Sequence, residues 1–288
     1  MRRRPYESRE HAQRIGETLG VKIDIVLNPV DLSPQKFIDA VGLAEKVGFD
    51  GIWTYDHLSG AVLGGGSSLD VWSALTMIAM STTRVEFGPL VINATTRLAA
   101  HIATASTTLA NLSKGRFLLG LGAGAGPESP YSHELTMLGV TTSSAAQRRQ
   151  QIADTVDYLK ALWRGDTAYE SPTATFREPV GLANPCRVPT IIVGANGPRM
   201  AAVAGRTADG VNVHSWERDL EGLVEIARGS APSPDQFGVT VEMPLDLDSV
   251  RPNSECRQRL DRLRVSRAMF AWHSEMGTAV ISESRPHG

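Results

Sequence analysis

Val47 to Gly60 reads VGFDGIWTYDHLSG. Gly48 stands where a helix C-cap needs a left-handed residue. Asp50-Gly51 is a turn dipeptide, and Ile52, Trp53, Thr54 and Tyr55 are strand formers with no charge among them. A short strand of that profile is covered on both faces, as in a parallel sheet. Where it runs out, Asp56-His57 sets a carboxylate beside the one side chain that titrates near neutral pH. Taken alone, the pair reads first as a turn-capping aspartate followed by an ordinary loop histidine. It gains weight because the rest of the chain repeats this layout.

Upstream, VKIDIVL at 21–27 reads as a first strand, and Ser33-Pro34 as an N-cap with proline at the first helical position. Phe37, Val41, Ala44 and Val47 then mark one helical face. Downstream, strands are expected at 85–92, 116–121, 189–195, 209–214, 238–245 and 268–272. Helices are expected between them near 69–80, 98–112, 144–163, 198–204, 220–228 and 254–263. Residues 166–187 hold prolines at 172, 179 and 185 and little periodicity, so they read as an insertion after the fourth helix. Eight strands alternating with helices over about 250 residues is the count of a (β/α)8 TIM barrel. A doubly wound open sheet would carry a glycine fingerprint directly after its first strand, and LNPVDLSP has none. Residues 1–20 read as an N-terminal extension, and 21–288 as one barrel domain.

Composition narrows the function. The 288 residues are 42% hydrophobic and 21% charged, which is ordinary for a globular protein, and the net charge of −2 gives no basic field for nucleic acid. No apolar stretch reaches the length of a membrane span, and no apolar segment follows Arg2-Arg3-Arg4, so a secretory leader is not expected. Cys186 and Cys256 lack metal-ligand spacing. The expectation is a cytoplasmic protein with reduced thiols.

In a barrel the chemistry sits at the carboxyl ends of the strands. Those ends carry Asp56-His57, Asn93, Glu128 in the loop after strand four, Gly194-Ala195-Asn196-Gly197, His214, and Trp272-His273. Both His57 and His214 end strands that open with Asp-Gly, a faint internal echo. The glycine clusters at 120–126 and 194–197 fit two readings. Bare amides at a helix N-terminus bind phosphate, and tight βα turns need glycine for backbone reasons alone. No HxxxH or CxxC spacing supports a metal, and no GxSxG elbow supports a hydrolase.

GFDGIWTYDHL at 48–58, LANLSKGRFLLGLGAG at 109–124 and VPTIIVGANGPRMAAVAGRTADGVN at 188–212 resemble, in order and spacing, the luciferase-like monooxygenases. The resemblance is closest to their deazaflavin-dependent oxidoreductase branch. It implies a (β/α)8 barrel with an insertion after helix four, and coenzyme F420 lying against Asp56 and His57, with His57 handling a proton. It further implies a bulged non-proline cis peptide at Leu90-Val91, Asn93 as a polar contact to the ring, and Gly194, Ala195, Asn196 and Gly197 approaching the cofactor. Glu128 is the first carboxylate after strand four and is taken as a further cofactor contact, and His214 as a substrate contact. Family members are often homodimers. Sugar-phosphate dehydrogenases of the branch place a glutamate directly after the Gly-x-Gly of strand four, where this chain has Ala125. The substrate is therefore unassigned. The expected activity is hydride transfer between F420 and a small organic substrate. The alternatives are an FMNH2-dependent monooxygenase consuming oxygen, with FMN as its cofactor, and a non-catalytic barrel that binds a ligand.

Overall fold

In the computed structural model, residues 20–284, 286 and 287 are described; apart from Gly20, the expected extension lies outside them. The first strand, β1 (Lys22–Leu27), leads to α1 (Pro34–Val47), whose N-cap Ser33 accepts from the Lys36 amide and whose C-cap Gly48 has φ 106°. The order then runs β2 (Gly51–Thr54), α2 (Val71–Ser81), β3 (Glu86–Pro89), β4 (Ile92–Asn93), α3 (Ala99–Leu112), β5 (Leu119–Gly122), α4 (Ser132–Met137) and α5 (Ala145–Arg164). After the antiparallel hairpin β6 (Ala168–Glu170) and β7 (Thr175–Arg177) come β8 (Ile191–Gly194), α6 (Pro198–Thr207), β9 (Gly210–His214), α7 (Leu220–Ser230) and β10 (Gly238–Pro244). The chain closes with α8 (Leu247–Val250), α9 (Glu255–Arg262), β11 (Arg267–Trp272) and α10 (Gly277–Ser284).

Nine strands form one parallel sheet in the order β3-β2-β1-β11-β10-β9-β8-β5-β4. The third barrel strand is split, with β3 and β4 flanking Leu90 and Val91. The ring of strands closes across the split, because Phe87 bridges Phe117 while Ile92 pairs with Leu121. The expected eight-stranded (β/α)8 barrel is therefore the observed fold. Its last strand is supplied by the C-terminal residues, where β11 pairs with both β1 and β10. Tyr158, Tyr169 and Phe176 meet edge-on and stacked, which seats the hairpin against α5.

Two apolar compartments follow from strand alternation. Outward residues such as Ile23, Ile25, Ile52 and Phe270 pack against the helices, while Val26, Trp53, Leu90, Leu118, Ile192, Met269 and Ala271 fill the barrel interior. Beneath the inner layer lies a buried ion cluster. Arg267 holds Asp24 through Nε (2.5 Å) and Nη2 (3.1 Å) and Glu86 through Nη1 (2.6 Å), while the Trp53 indole donates to Asp24 at 2.7 Å. Lys22 adds a second cation on Glu86 at 2.7 Å. Burial works against the Glu86 charge, but Arg267 and Lys22 outweigh it and hold that carboxyl down at about 2.

The Asp-Gly echo has a structural cause. Asp50 accepts from the Ile23 amide at 2.8 Å, and Asp209 accepts from the Ile191 amide at 2.8 Å, so each aspartate clamps the strand before its own. The glycine that follows admits no side chain. A Cβ at Gly51 would lie 2.7 Å from Asp24, and one at Gly210 would lie 2.8 Å from the Gly238 carbonyl oxygen. No helix among the described residues is long and apolar enough to cross a membrane.

Candidate active site

The strands end around one cavity of about 1100 Å³. His57, Asn93, Gly194 and His214 all line it, so the side chains expected at strand ends do meet on one rim. His273, after β11, joins them. Its Nδ1 accepts from the Asn28 side-chain amide at 2.9 Å, which leaves Nε2 carrying the proton of the neutral ring.

Asp56 and His57 are neighbours in sequence, but they take different partners. Asp56 Oδ2 accepts from the Asn93 amide at 2.9 Å and from Arg97 Nε at 3.0 Å, and Arg97 Nη2 reaches its other oxygen. The carboxylate thus ties the end of β2 to the loop after β4, and no contact links it to the His57 ring. His57 instead turns to α4, where its Nδ1 lies 3.1 Å from Oε2 of Glu134, and Oε1 of the same carboxylate accepts the Ser59 amide at 3.0 Å. Burial penalises the Glu134 charge. The bonds from His57 and from the Ser59 and Leu58 amides outweigh that penalty and leave the carboxyl below its usual range. An ionised carboxylate only accepts, so Nδ1 of His57 is the donor. Tyr131, 5.2 Å from the imidazole between ring centroids, covers the ring.

Across the mouth, the Tyr55 hydroxyl donates to Glu242 Oε1 at 2.7 Å, spanning from the end of β2 to β10. Glu242 Oε2 lies 3.3 Å from His214 Nε2, and His214 stacks on Trp216 at 4.5 Å and 12°. Burial, and then the Glu242 charge, push the Tyr55 hydroxyl well above its usual range, so it stays a donor.

The peptide bond Leu90–Val91 is cis, at the position the resemblance implies, and both residues line the cavity. Glycines explain how the neighbouring strands come so close. A Cβ at Gly122 would stand 2.3 Å from Val91 Cγ2, and one at Gly120 would stand 2.1 Å from the Pro89 carbonyl oxygen. For these two the packing reading of the glycine cluster holds. Gly197 differs: its φ of −177° suits any residue, and a Cβ there would meet nothing within 4 Å. It caps α6 at the cavity wall beside Asn196, with Arg199 next along the helix and Arg148 and Arg149 from the start of α5 also lining the cavity.

Two expectations need correction. Ala195 is fully buried, and its amide donates to the Asn212 carbonyl at 2.9 Å, so the barrel ladder already uses the group a cofactor would need. Glu128 is exposed in the turn after β5 and does not line the cavity; the carboxylate that this loop sends to the site is Glu134. Asn93 lines the cavity, and its side-chain oxygen also accepts from the Thr95 amide (3.0 Å) and hydroxyl (2.6 Å), which fixes its turn. Arg97, Glu134, Tyr55 and Glu242 escaped the sequence reading, because their partners are 41 to 187 residues away. Among the described residues, no group of three or more His, Cys, Asp or Glu could hold a metal ion.

The luciferase-like monooxygenase profile matches residues 14–245. The chain belongs to the luciferase-like monooxygenase family. An F420-dependent glucose-6-phosphate dehydrogenase of Kineococcus radiotolerans is 29% identical over 240 residues, 79% of this chain and 68% of that protein. A 5,10-methylenetetrahydromethanopterin reductase of Methanolobus tindarius is 33% identical over 195 residues, 65% of this chain and 53% of that protein. The chain thus spans between about half and two thirds of the length of these curated relatives. Among solved structures, a coenzyme F420 dependent tetrahydromethanopterin reductase from Methanopyrus kandleri superposes with a TM-score of 0.70 at 18% identity. That match covers 92% of this chain and 97% of the other, and it bears on the fold.

Proposed function

We propose that this luciferase-like protein is an F420-dependent oxidoreductase that transfers a hydride between the deazaflavin and a small organic substrate. The observation that carries the reading is the His57–Glu134 pair, set on the same rim as the Leu90–Val91 shelf and the open backbone at Gly197. The residues present fit such a cofactor. Leu90 and Val91 offer an apolar surface for a planar ring. The side-chain-free wall at Gly194 and Gly197, with Arg148, Arg149 and Arg199 beside it, suits an anionic tail. Both curated relatives described above act on this kind of chemistry by name, one of them with F420.

When bound, the deazaflavin supplies a ring carbon that accepts or gives a hydride. The protein's own part is the proton. His57 Nε2 takes it from a substrate alcohol during oxidation or returns it during reduction, and Glu134 orients the ring by accepting from Nδ1, so that Nε2 is the nitrogen left for the exchange. Asp56 ties the backbone just before His57 to the end of β4 and the loop after it, through the Asn93 amide and Arg97. The apolar plug of Trp53, Leu90, Leu118 and Met269 closes the barrel below the site and keeps water out from that side. With Cys186 and Cys256 both free thiols, a reducing cytoplasm suits the chain.

Titration of the purified protein with F420 and with FMN tests the reading. Tighter binding of F420, with no oxygen consumption when reduced FMN is supplied, is expected. Preferential binding of FMN with oxygen uptake would make the chain a flavin monooxygenase of the same fold.

A further inference from the structure

Charge is unevenly spread around the cavity. Its lining arginines, Arg148, Arg149 and Arg199, come from the starts of α5 and α6, over strands β5 and β8. The adjoining wall, built by β9, β10 and β11, of which β9 pairs with β8, contributes no lysine or arginine to the lining among the described residues. It presents Glu242 instead, buried, with Glu217 behind. The two carboxylates bracket His214, at 3.3 Å from Nε2 and 3.7 Å from Nδ1. Trp216 lies stacked on the His214 ring and is 58% exposed, which leaves indole surface open at the cavity wall.

A phosphate dianion on this wall would face the Glu242 carboxylate, with the Glu217 charge behind His214, and find no permanent cation on the wall to answer it. The attraction of Glu242 for an ammonium is blunted, because its two oxygens already take the Tyr55 hydroxyl and the His214 imidazole. What the wall offers is an aromatic platform beside hydroxyl and imidazole groups, which together recognise an apolar body bearing one exchangeable oxygen. Resting on the F420-dependent reading, we infer that the β9–β10 wall is the substrate subsite and that it takes an uncharged alcohol or carbonyl compound, not a phosphate ester. Glu242 and Glu217 are then the residues that set this choice, by repelling anions rather than by touching the reacting bond.

The test measures binding, not turnover, on the full chain loaded with F420. Loading is first verified by F420 titration, and failure at that step counts against the cofactor reading alone. Cyclohexanol, cyclohexylamine and cyclohexyl phosphate are then titrated calorimetrically as a matched set. Cyclohexanol is expected to bind at least tenfold more tightly than either charged analogue. In Glu217→Gln and in Glu242→Gln, each checked for unchanged F420 affinity, the discrimination against the phosphate ester should shrink at least tenfold. Glu217→Gln alone suffices should the buried Glu242→Gln fail to fold, because Glu217 is the more exposed of the two carboxylates. Equal or tighter binding of the phosphate ester by the wild type overturns the inference. So does tighter binding of the amine, binding of none of the three, or a preference unchanged by the substitutions.

Discussion

Nδ1 of His57, at the end of the second barrel strand, lies 3.1 Å from the carboxylate of Glu134, on a six-residue helix 77 residues further along the chain. The bond joins a residue on the rigid barrel rim to one on the excursion after β5, so the imidazole is oriented only when that excursion is docked. The same carboxylate accepts the Ser59 amide and anchors the backbone that carries His57. Asp56, its sequence neighbour, serves the opposite side of the loop through Arg97.

The dyad predicts a graded loss. His57→Asn should preserve F420 binding and lower turnover by roughly 10²–10⁴-fold, the usual contribution of a general acid–base group. Glu134→Gln keeps the shape but replaces an obligate acceptor with an amide that can also donate, so the ring is no longer held in one tautomer. It should cost turnover less than His57→Asn does, with F420 affinity unchanged. Steady-state kinetics at saturating cofactor decide. Turnover within about threefold of wild type in His57→Asn would remove it from the proton path.

Two glycines in the same neighbourhood should behave in opposite ways. Gly120→Ala drives a methyl group to 2.1 Å from the Pro89 carbonyl oxygen, a clash with backbone that cannot swing aside. It should destabilise the fold by about 1–3 kcal/mol. Gly197→Val meets open space and needs no unusual φ, so thermal stability should hold while F420 affinity falls at least tenfold from crowding in the cavity. Melting curves and F420 titrations on both variants check the pair. Unchanged F420 affinity in a folded Gly197→Val protein would return the 194–197 turn to a purely structural role.

The buried cluster under the inner core predicts acid lability of a defined sign. Glu86 sits near 2 in the folded protein against an ordinary value of 4.5. Its stabilising contribution is therefore complete above about 4.5 and lost as pH falls toward 2. The shift corresponds to about 3 kcal/mol. Asp24 works the other way, since burial raises its carboxyl against the pull of Arg267 and Trp53. The Glu86 contribution is isolated by comparing wild type with Glu86→Gln in urea between pH 6 and pH 3, where the stability gap should narrow. Arg267→Met, which strands Asp24 without its cation, should cost about 3–5 kcal/mol at neutral pH.

Much of this was legible in the chain because barrels are built from local signals. The Ser33-Pro34 start of α1, the Gly48 and Gly165 helix ends and the apolar strands each follow from a few adjacent residues. The Asp-Gly echo carried real information: Asp50 and Asp209 clamp the preceding strand in the same way, four barrel strands apart. The site was only half legible. His57 and His214 could be placed on the rim by strand counting, but their partners Glu134 and Glu242 come from other parts of the chain, and no local pattern links them. Ala195 shows the converse. A residue inside a promising turn can have its amide committed to the next strand, and only the pairing register reveals it. The short helix α4 carried no periodic signal at six residues, yet it brings Glu134 to the site.

The arginines at the α5 and α6 starts allow the last prediction. Arg149 and Arg199 line the cavity on the side where Gly194 and Gly197 leave the backbone bare, whereas Arg148 has one nitrogen on the Ser143 carbonyl at 2.5 Å. If Arg149 and Arg199 face the anionic tail of F420, each should matter for the tail and not for the ring. Arg149→Ala and Arg199→Ala should then weaken F420 by about tenfold apiece, a loss typical of one charge-assisted hydrogen bond. Neither should alter affinity for a deazaflavin lacking the phosphate. Raising ionic strength from 50 to 500 mM should weaken F420 binding to wild type more than to the variants, since the attraction being screened is already gone from them. The comparison separates the two halves of the site without any knowledge of the substrate. Equal loss of both deazaflavins would mean that the arginines support the wall itself, and loss of neither would move the tail to another exit from the cavity.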